Sequence, residues 1–290
     1  MLPYKDMPTV KEIRSASILT PQKFGSLSAY YDYTINPYAG CAFACSYCYV
    51  PKFPGNHEVN EWGSWINVKV NAPDLIRKDR AKIFGSRIFF SSATDPYQYL
   101  ELKYRLTRAC LKELLNYSPQ QLTMHTRSHL MLQDIDLLRA FGERLVVGIS
   151  LPTDDDSIRQ EFEPKAPSIM RRLELMKTLS ENGIAVYASI SPLLPCDPDR
   201  LVQSIAPFTS RVWVDTMNWL EVMRSPELLQ KYKLFFESET YERLAVQIAK
   251  KFESQKENRE TVFSKSNLKS TPAPVRKAKQ LTLTFGSTSI

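Results

Sequence analysis

No stretch of the chain approaches the roughly 20 consecutive apolar residues that cross a bilayer, and its start, MLPYKDMPTVKEIRSAS, lacks the apolar segment of a secretory signal. A soluble, cytoplasmic protein with no membrane partner is the expectation. Cysteine is scarce: five residues in 290, an odd number. Without an export signal, that count argues against a disulfide framework and for a metal or catalytic use. Apolar material is not lacking, since hydrophobic residues make up 43% and charged residues 24%, values ordinary for a globular protein with a sizeable core. Length favours one large α/β domain over two small ones. The net charge of +7 is unevenly spread: from Phe252 to the end seven basic residues face three acidic ones, so more than half of the excess lies in the tail. Such a tail either gathers polyanions or is a solvated, disordered end.

Residues 1–30 show no clear pattern and are expected to form an irregular N-terminal extension. From there short β-rich runs alternate with helical patterns. The strand candidates are YTINPY (33–38), RIFFSS (87–92), QLTMHT (121–126), RLVVGIS (144–150), IAVYASIS (184–191) and RVWVDT (211–216), each dense in β-branched or aromatic residues. Apolar residues recur at helical spacing over 103–117, 130–141, 168–182 and 197–208, with Gly183 as a stop after the third. This alternation implies parallel strands joined by right-handed crossovers. Six repeats in place of eight predict an incompletely closed (β/α)6 barrel over residues 31–255. In such folds reactive groups collect where strands end and loops begin. A last helix is expected over 238–254, followed by a flexible basic tail over 256–290 in which LTLTF (281–285) alternates like an edge strand.

The sharpest signal is Cys41-Ala-Phe-Ala-Cys45-Ser-Tyr-Cys48, introduced by Asn36-Pro37-Tyr38-Ala39-Gly40 at the end of the first strand. Three thiolates so spaced can converge on one iron-sulfur cube and leave one iron without a protein ligand. A fourth cysteine would close the site, and none is near in sequence. An open corner allows the amine and carboxylate of a substrate to chelate the metal. Cys110 falls in a helical pattern as a small core residue, whereas Cys196, just after the fifth strand candidate, is placed to face the same mouth. Zinc is the rival, with His57 completing a tetrahedral site, but paired C-x2-C knuckles are missing.

The CxxxCxxC motif, with Tyr47 before its last cysteine and a βα series behind it, resembles that of the radical S-adenosylmethionine (SAM) superfamily. INPYAGCAFACSYCYV, SSATDPYQYLELKYRLTR, ISLPTDDDSIRQEFEPKAPSIMRRLELMKTLSENGI and SPLLP together resemble the spore photoproduct lyase branch, across about residues 30–215. The resemblance implies a partial barrel of the radical SAM type. It also implies a 4Fe-4S cluster on Cys41, Cys45 and Cys48, and reductive cleavage of SAM to a 5'-deoxyadenosyl radical, with an electron donor such as flavodoxin or ferredoxin as partner. By position, Tyr47 and Tyr49 resemble residues lining the adenine, Thr94 and Asp95 those holding the ribose or methionine portion, Arg127 a basic residue meeting the carboxylate, and Ser150 a further polar contact. Blander readings stand beside these: Asp95 as a turn cap, Arg127 paired with a surface carboxylate, Ser150 satisfying backbone at a strand end. Arg172, in the segment from Glu163-Pro164 to Arg171-Arg172-Leu173, either reaches the cofactor or lies on a solvated helix face. His125 and His129 are read as structural.

Spore photoproduct lyases carry a cysteine near the end of the second strand that returns a hydrogen atom to the product radical, and the matching position here is Ser92. Serine's strong O–H bond makes it a poor hydrogen donor, which leaves Cys196, Tyr97 or Tyr99 as candidates for that step. Three functions stay open: a lyase or repair enzyme acting on DNA or a nucleotide, a radical enzyme acting on a small molecule, peptide or RNA, and a non-enzymatic iron-sulfur or zinc protein.

Overall fold

The computed structural model describes residues 7–53, 61–216, 223–237 and 239–262. In chain order its strands are β1 (Thr9–Ile13), β2 (Leu19–Pro21), β3 (Tyr33–Ile35), β4 (Tyr38–Ala39), β5 (Trp65–Lys69), β6 (Arg87–Phe90), β7 (Gln121–Thr126), β8 (Leu145–Ser150), β9 (Ala185–Ile190) and β10 (Val212–Val214). The principal helices are α1 (Ala72–Lys78), α2 (Arg80–Ile83), α3 (Glu101–Tyr104), α4 (Leu106–Asn116), α5 (Ile135–Ala140), α6 (Asp156–Phe162), α7 (Ile169–Glu181) and α8 (Pro198–Ile205), followed by the C-terminal helix Glu239–Val262. Among the described residues no helix is long and apolar enough to cross a membrane.

The six expected strands are all present as β3, β6, β7, β8, β9 and β10. They lie parallel and in sequential order, with β2 antiparallel on the outer edge of β3. This is the α/β architecture of a partial barrel. Alternation sorts each strand's side chains: Ile88, Phe90, Leu122, Met124, Val147, Ile149, Ala188 and Ile190 are buried, on the same side as the apolar stripes of the helices. On α4 that stripe is Leu106, Cys110, Leu111 and Leu114. On α7 it includes Leu175, Met176 and Leu179. Gly183 ends α7 at φ 73, a left-handed conformation natural to glycine.

Four differences from the sequence expectation stand out. The first strand stops at Ile35 instead of continuing to residue 38, because Pro37 has no N–H to donate to a ladder. Its carbonyl accepts from the Lys69 amide (3.0 Å), and Tyr38–Ala39 pair with β5 in a second sheet ordered β1-β5-β4. The N-terminal segment is correspondingly ordered: β1 runs parallel to β5 and β2 pairs with β3. Its mostly exposed pattern carries no apolar signature. The helix expected over 103–117 breaks at Arg105, which is left-handed at φ 47. The buried Glu101 carboxylate accepts the Thr107 N–H (2.7 Å) and restarts the helix there. In the C-terminal region, residues 256–262, assigned to a tail from sequence, continue the helix that ends at Val262. The LTLTF segment and the rest of the tail lie outside the described residues, as does His57.

The other face of the sheet changes character along the strands. Thr34, Phe89 and Thr123 share one register row, His125, Gly148 and Tyr187 the next, and Ser150, Ser189 and Trp213 the last. Phe89 and His125 meet edge to face at 4.8 Å between ring centroids, and His125 lies 5.2 Å from Tyr187. Burial, and then the Arg127 charge, depress the His125 pKa to about 4, so the ring is neutral. A side chain at 148 would meet His125 Cδ2 and Nε2 at 2.5 Å and Tyr187 Cζ at 2.6 Å. Gly148→Ala is therefore expected to lower the unfolding free energy by about 1–3 kcal/mol in urea denaturation, the usual effect of overpacking.

Candidate functional site

The cysteine loop leaves β4 through Gly40, where φ is +84 and a Cβ would run into the Trp65 carbonyl oxygen, so only glycine fits. Two bonds tie the loop to the segment after β6. The Thr94 hydroxyl donates to the Gly40 carbonyl (2.6 Å), and the Ala42 amide donates to Gln98 Oε1 (3.0 Å). Asn36 braces the ends of β3 and β6, accepting from the Ala93 amide (2.9 Å) and donating to Ser92 Oγ (3.3 Å). Ala44 turns left-handed at φ 51, the Cys48 amide donates to the Cys45 carbonyl (3.1 Å), and the Ser46 amide donates to the carbonyl of Phe162 at the end of α6 (2.9 Å).

All three thiols of the motif are free; Cys41 and Cys45 are buried and Cys48 partly so. Each thiol feels the charge of another member of the trio, and burial pushes each pKa up to about 12. Every sulfur also has a donor: the Phe43 amide at Cys41, the Val50 amide at Cys48 and the Arg127 guanidinium at Cys45. Among the described residues no three Cys, His, Asp or Glu side chains are grouped around a point as ligands of one ion. The donor set fits an iron-sulfur cube, which takes one thiolate at each of several irons and so spreads its ligands, and which needs soft sulfur donors with hydrogen bonds to them.

Beside the thiols lies a buried ionic network. Arg127, at the end of β7, donates to Cys45 Sγ and to Ser150 Oγ (3.2 Å) and stands 3.4 Å from Glu163 Oε1. Glu163 follows α6 and is completely buried; it also accepts from the Tyr47 hydroxyl and from Arg172. Arg172, itself fully buried, reaches the Ser150 carbonyl (3.0 Å) and the Pro167 carbonyl (2.9 Å) with its remaining nitrogens. Burial would raise the Glu163 pKa, but the Arg172 and Arg127 charges outweigh it and hold the carboxyl below its ordinary value. Asp95 is shifted the other way, upward, by burial.

The site residues expected from sequence come together unevenly. Arg127 and Ser150 are joined to each other and to Cys45, and Tyr47 reaches the same network through Glu163. Tyr47 is 4% exposed, with its hydroxyl on a carboxylate. Tyr49, 44% exposed, donates to the Ser92 carbonyl (2.9 Å). Asp95 accepts from the amides of Tyr97 and Arg127 (2.9 Å each) and from the Thr126 hydroxyl (2.7 Å). Its oxygens are engaged in fixing the turn that aims Arg127, the capping role in its fuller form. Tyr97 is fully buried, its hydroxyl facing Asp134 and Glu101, and Tyr99 is half-buried. Cys196, in the loop after β9, lies near Asp197 of the same loop, Arg200 of α8 and Asp154 of the loop after β8. The surface partner imagined for Arg127 is instead the buried Glu163, and the solvated-face reading of Arg172 is corrected to full burial.

Glu163 and Arg224 were not singled out from sequence. Glu163 had a signal, since an acidic residue and an arginine nine positions apart bracket the start of α7. Arg224 had none, because its partners are backbone carbonyls 179 and 180 positions away. The Asp154-Asp155-Asp156 run is structural. Asp154 binds Arg200 (2.9 Å), Asp155 caps α6 by accepting from the Ser157 amide (2.8 Å), and Asp156 pairs with Arg159 (2.8 Å).

A family model described as Radical SAM superfamily matches residues 35–206. An uncharacterized protein of Methanocaldococcus jannaschii is 36% identical over 188 residues, 64% of this chain and 70% of its own length. An uncharacterized protein of the Acidianus two-tailed virus is 28% identical over 182 residues, 60% of this chain and 59% of its own. A solved spore photoproduct lyase variant superposes with a TM-score of 0.54 at 19% identity, covering 71% of this chain and 61% of that one. A second variant, with bound AdoMet and dinucleoside spore photoproduct, gives a TM-score of 0.53 at 17% identity, with 77% and 66% covered. The chain thus spans less than two thirds of the viral relative and of the lyases. At such low identity the likeness to the lyases is one of fold.

Glu163→Gln would leave Arg172 buried without an anion, and urea denaturation should show a loss of about 3–5 kcal/mol, typical of removing one partner of a buried pair. The pH dependence has a definite sign: with a depressed folded pKa, the carboxyl's contribution is present above the unfolded value of about 4.3 and fades as pH falls through the folded one. The difference between wild type and Glu163→Gln should accordingly shrink on acidification.

Proposed function

This chain belongs to the radical SAM superfamily, and on that premise we propose that it is an enzyme that cleaves S-adenosylmethionine reductively and acts on DNA or a nucleotide, as a spore photoproduct lyase-like protein. The observation that carries the reading is the trio of free, mutually coupled thiols of Cys41, Cys45 and Cys48 beside a buried arginine. These three would hold a 4Fe-4S cluster. When bound, the cluster supplies the electron that splits the carbon–sulfur bond of SAM, yielding methionine and a 5'-deoxyadenosyl radical.

The chain's own residues bind, orient and exclude water. Arg127 offers a buried cation to the methionine carboxylate, held in place by Ser150, Glu163 and the Asp95 turn. Thr94, fastened to Gly40, and Ser150 supply neutral polar contacts. Tyr49 presents an exposed ring next to Cys48 that suits an adenine, while Tyr47 stiffens the loop from below through Glu163. Neutral His125 and Tyr187 close the sheet face beneath Arg127 with aromatic surface, so the charge above stands in a low-dielectric setting where it acts strongly.

The nucleic-acid part of the reading is supported by the fold shared with spore photoproduct lyase and by the net charge of +7. Ser92 favours a second reading. It is a serine where the lyases use a hydrogen-returning cysteine, and it is fixed between Asn36 and Tyr49. A non-DNA substrate, or return of hydrogen by Cys196, Tyr97 or Tyr99, accords with that. An electron donor such as flavodoxin or ferredoxin would serve as partner in the cytoplasm.

Anaerobically reconstituted protein should take up roughly four irons per chain and, with a strong reductant, release 5'-deoxyadenosine; Cys45→Ala should abolish both, and turnover retained in that variant defeats the assignment. Incubation with deuterated UV-damaged DNA tests the substrate. Deuterium in 5'-deoxyadenosine, together with DNA binding that weakens steeply with salt, is the expected result. Turnover on a labelled small molecule or peptide, with no transfer from DNA, would establish the second reading instead.

A further inference from the structure

Arg224 comes from outside the parallel strands and grips the loop between the second and third cysteines. Three successive carbonyls of that loop have this one residue as donor. The guanidinium donates to Cys45 O and to Ala44 O (3.4 Å), and the Arg224 amide donates to Ser46 O (3.0 Å). The loop needs such a hold. Ala44 is in the left-handed region without being glycine, which disfavours the turn unless its surroundings impose it. Gly63 packs so closely on the Ala44 methyl that no side chain fits there. On its other side the loop is tied to the end of α6 through the Ser46 amide and Phe162 and through the Tyr47 hydroxyl and Glu163. Among the described residues the titratable groups that act on Arg224 are the Cys48 and Cys45 thiols themselves, and its Nε is buried with no partner among those residues.

We infer that Arg224 is a positioning residue for the thiol loop, clamping its carbonyls and setting, by its fixed positive charge, the reduction potential of the cluster held there. The inference rests on the cluster assignment made above. A cube bound by three thiolates gains negative charge on reduction, and a fixed cation beside two of its sulfurs stabilises the reduced form more than the oxidised one. Net charge and hydrogen bonding around the sulfurs are the protein's chief means of tuning such a centre. Removing the cation should therefore move the potential in the negative direction. Lysine should restore much of the charge effect but not the clamp, because the one nitrogen that serves both carbonyls, Nη2, is held at the end of a rigid planar group, whereas an ammonium sits on a flexible stem.

The test compares full-length wild type, Arg224→Met and Arg224→Lys. Midpoint potentials of the reconstituted proteins are read by EPR-monitored titration. In the metal-free proteins, alkylation rates of individual thiols by iodoacetamide are read by mass spectrometry, with buried Cys110 reporting on global folding. A more negative potential in Arg224→Met, returning toward wild type in Arg224→Lys, is expected, with several-fold faster alkylation of Cys45 and Cys48 in both variants. An unchanged potential at equal iron content overturns the electrostatic part, and unchanged alkylation overturns the clamp. Should Cys110 also become reactive in Arg224→Met, showing that it has unfolded, Arg224→Lys decides alone: faster alkylation of Cys45 supports the inference and wild-type rates overturn it. Wild type that takes up no iron would defeat the cluster assignment, a failure separate from these, and alkylation would still judge the clamp.

Discussion

A single buried carboxylate, Glu163, joins the four chain segments from which the site is made. Through Arg172 it is fixed to α7 and the end of β8, through Arg127 to the end of β7, and through Tyr47 to the cysteine loop. Two guanidiniums and one carboxylate out of water form an expensive arrangement, because desolvation of the charges offsets most of their attraction. Such a network contributes little net stability compared with an apolar core of the same volume. Its use is geometric: each partner has bonds left for backbone or side-chain acceptors, so the loop, the strand end and the helix hold one relative arrangement. The proposed chemistry needs such an arrangement, since an arginine serves a ligand best when its direction is set before the ligand arrives.

The sheet prepares the same place by a gradient of polarity. Its helix-facing side is apolar up to Thr126 at the end of β7, while its other face passes from Phe89 and Thr123, through neutral His125 and Tyr187, to Arg127, Ser150 and Ser189. Buried charge therefore gathers at the strands' C-terminal ends, where parallel folds collect their reactive groups. Gly148 belongs to this design, because the space it leaves is filled by the two rings that seal the face below Arg127.

Much of this was legible in the sequence, and the exceptions share a cause. The six parallel strands announced themselves by dense β-branched runs, and α7 and its glycine stop by spacing, because each buries a continuous apolar face. β1 did not, since its residues are nearly all exposed and it exists only by pairing with β5. The cysteines, Arg127 and Ser150 could be found because each sits on a motif or at a strand end. Asp95 was found for a role in binding, yet all its bonds are spent on the turn that aims Arg127. Arg172 was open from sequence between the cofactor and a solvated helix face, and only the fold reveals that a glutamate nine residues earlier reaches it. Arg224 was out of reach of any local reading, as carbonyls carry no side-chain signature.

The charges around the thiols also explain why the site holds so many cations in a buried setting. Empty, the three sulfurs are neutral thiols, because burial pushes each up to about 12. Arg127 is then answered mainly by Glu163 and Asp95, and Arg224 by carbonyl dipoles. With the proposed cluster in place the thiols would be thiolates, and the flanking guanidiniums would offset part of their charge. Proton release and metal uptake are thereby coupled, as in any site whose ligands must ionise to bind. Arg127 cannot serve both a thiolate and an incoming carboxylate with the same nitrogen. Its second nitrogen, directed at Ser150, and the carboxylate of Glu163 behind it keep the side chain in place while its partner at the mouth changes. On the proposed reading, the buried network would let one arginine face sulfur in one state and a ligand's carboxylate in another without moving the strand that carries it.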